Sequence, residues 1–145
     1  MDTPEEIKIW QRVRGEMPPI TEGLPGLAAS AWTEAALCGS LARQIQGPGQ
    51  KILLQLQEEN RCHARCLSGI YQLVTGTPLR FAHLPPAPDK LDIALRKSYG
   101  KALKALRAYE ERASHGEYGA VFGCMAATQR THCCKIAELM GLLGG

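Results

Sequence analysis

The chain lacks most of the signatures that would name a chemistry outright. It has no apolar run of membrane length, since its longest charge-free stretch compatible with a helix, Tyr118 to Gln129, falls well short of the ~20 residues a span needs. No Gly-x-Ser-x-Gly elbow and no phosphate-binding glycine loop occur, which argues against an α/β-hydrolase nucleophile and a nucleotide phosphate cradle. Charge of one sign is nearly absent as an excess: 17 basic against 14 acidic residues leave +3, and basic residues do not interleave with aromatics, so no nucleic-acid partner is expected. The start, Met1-Asp2-Thr3-Pro4-Glu5-Glu6, lacks the basic and apolar regions of a secretory signal. The expected location is therefore a reducing cytoplasm, and the six cysteines are expected to be free rather than a disulfide framework. At 145 residues there is room for one core and no second catalytic domain.

What is present is a composition that folds, 45% hydrophobic and 21% charged, punctuated by proline and glycine. Pro18-Pro19 and Leu24-Pro25-Gly26 precede a first long segment, Gly47-Pro48-Gly49 ends it, and Gly76 ends the second. Asp89, an expected N-cap, opens the third, and Ser114-His115-Gly116 divides it from the fourth. The result is four segments of roughly 20 to 27 residues, with a short additional one at about residues 4 to 15.

Each long segment carries an apolar stripe at alternating steps of three and four, the helical period. The first runs Leu24, Leu27, Ala31, Glu34, Cys38, Leu41, Ile45; the second Leu53, Leu56, Asn60, His63, Leu67, Ile70, Val74. The third runs Leu95, Tyr99, Ala102, Leu106, Tyr109, Ala113; the fourth Tyr118, Phe122, Met125, Gln129, His132, Ile136, Leu139, Leu143. The predicted fold is all-α, an antiparallel four-helix bundle at residues 24–145 preceded by an N-terminal helix and linker at 1–23. Short first and third connections predict two helical hairpins. The proline-rich connection Thr77 to Pro88 reaches roughly 37 Å if extended, matching the ~39 Å of a 26-residue helix, and so suffices for a crossover along the bundle.

Five polar residues interrupt these stripes: Glu34, Asn60, His63, Gln129 and His132. An unpaired polar group in a core costs about 1 to 3 kcal/mol, so each requires a partner. Asn60-Arg61-Cys62-His63 and Gln129-Arg130-Thr131-His132 repeat the order amide, Arg, any residue, His at an offset of 69, placing amide and imidazole on one interior face in two different helices.

These residues resemble the ferritin-like superfamily, most closely its small rubrerythrin-type domains, over about residues 24 to 143. Glu58-Glu59-Asn60-Arg61-Cys62-His63-Ala64 with Leu67, Gly69-Ile70-Tyr71 and Thr75-Gly76 looks like a second helix of that group, and Ala126-Ala127-Thr128-Gln129-Arg130-Thr131-His132 like its fourth. The resemblance implies a carboxylate-bridged di-iron centre with one Glu from each of helices one and three and Glu-x-x-His from each of two and four. Carried over, it gives Glu34, His63 and His132 as ligands; Asn60 and Gln129 stand where two acids are expected, and Ala102 stands for the third-helix Glu. Two ferrous ions with one carboxylate would leave about +3 in a poorly solvated core, so a degenerate di-iron site without ordinary oxidase or peroxidase turnover is the expectation. Glu59 lies one position from Asn60, roughly 100° around the wheel, and would turn inward only through a bulge.

Two alternatives stand beside that reading. A single Fe or Zn ion could be held by Glu34, His63 and His132, with Asn60 and Gln129 as weak or supporting groups, in a non-haem redox protein served by a redox partner. Or the layer is metal-free, its amides and imidazoles bonding one another and Glu34, in a structural or interaction module. Cys38, one turn beyond Glu34, and Cys66, three after His63, are candidate soft ligands, yet free cysteine more often behaves as a small hydrophobe; Cys62, Cys124, Cys133 and Cys134 lie elsewhere on the same helices. Without any Cys-x-x-Cys, the rubredoxin-type module of full rubrerythrins is absent from this sequence, and adjacent Cys133 and Cys134 point too far apart to bridge. Lys97, Lys101 and Lys104, with Arg96 and Arg107, form a basic ridge read as a solvated face, and Ile7, Trp10 and Val13 predict a short helix packing across the bundle or at a homodimer interface.

Overall fold

The computed structural model describes residues 20–80 and 89–144, which form four helices: α1 (Leu24–Ala42), α2 (Pro48–Thr75), α3 (Leu91–Ala113) and α4 (Gly119–Gly144). Among the described residues there is no strand, and no helix is long and apolar enough to cross a membrane. The helix expected at residues 4 to 15, with Trp10, and the centre of the crossover at 81–88 lie outside the described residues.

The helix ends follow from local chemistry. Proline stands in the first turn of α1 and of α2, where its missing N–H costs nothing, each after a glycine with positive φ, Gly23 at 80° and Gly47 at 82°. Ile45 belongs to no helix: α1 stops at Ala42, whose carbonyl accepts from Gln50 Nε2 at 2.9 Å across the turn. At the far end of α2, Gly76 takes φ 75° and its N–H donates to the Gln72 carbonyl at 2.8 Å. The expected cap of α3 is corrected. Lys90 holds the N-cap position without a side-chain bond, and Asp89 instead pairs with Lys97 Nζ at 3.0 Å, leaving Asp92 as the acid in the first turn.

Two antiparallel hairpins, α1/α2 and α3/α4, pack so that α2 meets α4 and α1 meets α3. Arg112 Nη2, at the end of α3, donates to the Glu22 carbonyl at 2.6 Å just before α1, so these two run antiparallel. Gly49 near the start of α2 abuts Leu139 near the end of α4, so this pair does too. Alanine at 49 would bring its Cβ to 3.0 Å from both Ile45 and Leu139, so glycine there permits the close approach. With all neighbours antiparallel, α2 ends beside the start of α1 and α3 begins beside its end. The helix ends that flank the connection between the hairpins, Thr75 and Leu91, therefore lie at opposite ends of the bundle.

The core divides into two. At one end Leu41, Ile52, Leu53, Leu56, Leu95, Ile136 and Leu139 pack together; at the other Leu24, Ala28, Leu67, Ile70, Tyr109, Phe122 and Met125 do. Three predicted interior positions are exposed: Val74, Tyr99 and Leu143, at 43%, 40% and 44%. Val74 and Leu143 fall in the last turns of their helices. Tyr99 loses its place to Ser98, which is buried. Read by apolarity, the stripe passed over the serine that takes the inward turn between Leu95 and Ala102. Leu67→Ala and Leu139→Ala, one in each half-core and both fully buried, should each cost about 2–5 kcal/mol in urea unfolding, and the double variant should lose close to the sum of the two.

Candidate functional site

Between the two half-cores all four helices contribute polar side chains at one level. The arrangement is set by Gln129. Its Nε2 donates to the Ala102 carbonyl at 3.2 Å, so its Oε1 is the atom that faces His132 Nδ1 at 3.0 Å. Because Oε1 can only accept, Nδ1 carries the ring proton and Nε2 presents a lone pair. A glutamate at 129 would set a carboxylate oxygen against that carbonyl, so the amide is the group that fits a chain with Ala102 opposite.

His132 Nε2 lies 3.3 Å from Glu59 Oε2, and neither atom makes an aligned hydrogen bond. The other oxygen of Glu59 is held by Lys135 Nζ at 2.7 Å. Glu59 therefore turns inward, correcting the expectation that it faces away: α2 and α4 run antiparallel, which brings the residue four before His63 level with the residue three after His132. Glu34 is bound on the α3 side, where Ser98 Oγ donates to Oε2 at 2.9 Å and Lys101 Nζ stands 3.2 Å from Oε1 in an ion pair without hydrogen-bond alignment. Asn60 is half-buried and spends its Nδ2 on the Leu56 carbonyl of its own helix at 3.0 Å. His63 stacks edge-on between Tyr109 and His132, with ring centroids 5.4 Å and 6.1 Å away, and its Nδ1 has no hydrogen-bond partner.

Glu34, Asn60, His63, Gln129 and His132 thus share one layer. They do not converge on one point, however, and no group of three His, Cys, Asp or Glu side chains with metal-holding geometry occurs among the described residues. A cavity of about 30 Å³, lined by Glu34, Cys38, Ser98, Tyr109, Gln129 and His132 among others, opens beside the layer. One water needs ~10–15 Å³ by this measure, so the space suits about two. The residues that sequence reasoning missed are Glu59, Ser98, Lys101 and Lys135. Only the Glu59–Lys135 pair carried a signal, the matching offsets from the two histidines on antiparallel helices.

Burial fixes the protonation states. It lowers the His63 pKa to about 4, helped by His132, while Glu59 and the Gln129 side chain act in the opposite sense. It lowers that of His132 also, against the pull of Glu59, the Leu56 carbonyl and Glu34 and with the help of Lys135. Burial, with Glu34 adding to it, pushes the Cys38 thiol up to about 12, which makes it an inert filler. Burial likewise pushes Tyr109 up to about 12, opposed by Arg112 and reinforced by Cys66. All six cysteines are free; Cys38 and Cys133 are buried, while Cys62, Cys66, Cys124 and Cys134 are exposed. On α3 the basic ridge is partly paired, Arg96 with Asp92, Lys97 with Asp89 and Lys101 with Glu34, as suits a solvated face.

The residues present do not fit a di-iron centre. The layer holds the carboxylates Glu34 and Glu59, each already opposite an ammonium, and offers amide or methyl groups at 60, 129 and 102. No protein-family model, no curated protein and no solved structure matches this chain.

The depressed histidines give a pH dependence of definite sign. Between about pH 6.5 and 4 the unfolded chain binds a proton at His63 that the folded one refuses, so stability is full above pH 6.5 and falls as the pH drops through this window. For His63 alone the loss amounts to roughly 3 kcal/mol. Urea midpoints measured from pH 7.5 to 4 should decline accordingly, and His63→Leu should flatten the slope. In the same assay at pH 7, Gln129→Leu should cost about 1–3 kcal/mol by leaving the buried His132 Nδ1–H unpaired.

Proposed function

We propose that this chain is a ferritin-like bundle of rubrerythrin type whose di-iron centre has degenerated, and that it serves as a metal-free structural or interaction module, not as an oxidase or peroxidase. One observation carries the reading: each carboxylate of the layer faces a lysine, Glu59 with Lys135 at 2.7 Å and Glu34 with Lys101 at 3.2 Å. With both histidines neutral, two acids and two ammoniums cancel. A neutral layer needs no further cation to be tolerated between two apolar half-cores. The two-hairpin arrangement with its long connection, and the shared level of Glu34, His63 and His132, support the family reading.

A second reading is favoured by the approach of two acceptors, His132 Nε2 and Glu59 Oε2, to 3.3 Å. Bonds of ~2.0–2.1 Å in a tetrahedral site place two ligands at about this separation. Gln129 behind Nδ1 supplies the orienting hydrogen bond typical of a ligating histidine. One Zn or Fe ion there would give a mononuclear site with Glu59 in the role expected of Glu34.

Elemental analysis of protein purified without chelator or a metal-affinity step separates the two. The first reading predicts metal far below one ion per chain and, after Fe(II) addition, peroxide consumption no faster than that of free iron. One tightly held Fe or Zn per chain, with turnover lost in His63→Ala, would contradict it.

A further inference from the structure

We infer that Lys101 and Lys135 are the resident counter-cations of the layer, and that their charge keeps a divalent metal ion out. The inference rests on the metal-free reading and assigns it a cause. Glu34 and Glu59 bring two negative charges, and Lys101 and Lys135 bring two positive ones, so the layer is neutral as it stands. A divalent ion added to it would leave two positive charges uncompensated beside the buried imidazoles. The same ion exchanged for both ammoniums would restore neutrality. The layer is therefore built for one divalent ion or two lysines, and the chain carries the lysines.

Donor atoms without hydrogen bonds are present in the layer, although they do not converge on one point. His132 is 2% exposed, and its Nε2 lies 3.3 Å from Glu59 Oε2, with neither atom in an aligned hydrogen bond. Glu34 Oε1 and His63 Nδ1 are buried and likewise lack hydrogen-bond partners. Four nitrogen and oxygen atoms without hydrogen bonds thus stand in one layer, and the nearest pair, His132 Nε2 and Glu59 Oε2, already has the spacing of two ligands in a tetrahedral site. The two lysines differ in depth. Lys135 has 20% of its side chain exposed and Lys101 has 52%, so water screens Lys101 more and Lys135 is the stronger barrier.

The test is titration with Co²⁺, whose visible absorption reports N and O ligation, on four folded proteins: wild type, Lys135→Gln, Lys101→Gln/Lys135→Gln, and the control Glu59→Gln/Lys135→Gln. The expected results are no saturable binding by wild type, one Co²⁺ per chain in the double-lysine variant, and saturable binding by Lys135→Gln that is about tenfold or more weaker than that of the double variant. The Glu59→Gln control should not bind, and Zn²⁺ should raise the Tm of the double-lysine variant but not of wild type. A folded double-lysine variant that binds no Co²⁺, beside a wild type that binds none, would overturn the role of the lysines and leave the metal-free reading standing. A wild type that binds one Co²⁺ as tightly as the variants would overturn both. Should the double variant not fold, Lys135→Gln decides the matter by the same titration.

Discussion

Charge neutrality inside the bundle is the constraint on which the rest of the structure depends. Two apolar half-cores flank a layer that holds two carboxylates, two imidazoles and an amide, and such a layer is stable only if its charges cancel close at hand. Lys135 meets this need from α4 toward Glu59 on α2, and Lys101 from α3 toward Glu34 on α1. The two ion pairs cross the two interfaces between hairpins. These interfaces have no short loop to hold them together, so charge placement and hairpin docking are one problem with one solution.

Hydrogen bonding then fixes the finer state. Gln129 reads the Ala102 carbonyl with its donor and the His132 ring with its acceptor, joining α3 to α4 and selecting one imidazole tautomer. Burial keeps both rings neutral, which leaves the lysines as the layer's cations near pH 7. Amides at 60 and 129 are thus coherent with Ala102: few negative charges, few cations needed, and a carbonyl whose second lone pair the Gln129 amide meets.

Much of this was legible in the sequence. Stripe periodicity and glycine–proline punctuation located four helices, and the length of the proline-rich connection allowed the hairpin arrangement. The polar exceptions Glu34, His63, Gln129 and His132 marked the layer because a buried polar group stands out against an apolar track. Ser98 escaped notice for the opposite reason, a small polar residue beside an apolar Tyr99 that the pattern preferred. Glu59 and Lys135 were obscured by a rule that treats each helix alone. One step around a wheel is roughly 100°, yet a long side chain at the edge of the buried face reaches the interior when a neighbouring helix supplies its partner. Which lysine would meet which acid depended on the register of α2 against α4, a tertiary fact.

The most direct measurement is a double-mutant cycle on Glu59 and Lys135, using Glu59→Gln, Lys135→Met and the pair, with unfolding followed in the presence of a chelator. If the lysine is the cation that makes the layer tolerable, the coupling is favourable by about 1 kcal/mol or more and does not change when the chelator is omitted. A coupling near zero, or one that appears only when divalent metal is present, would contradict the account.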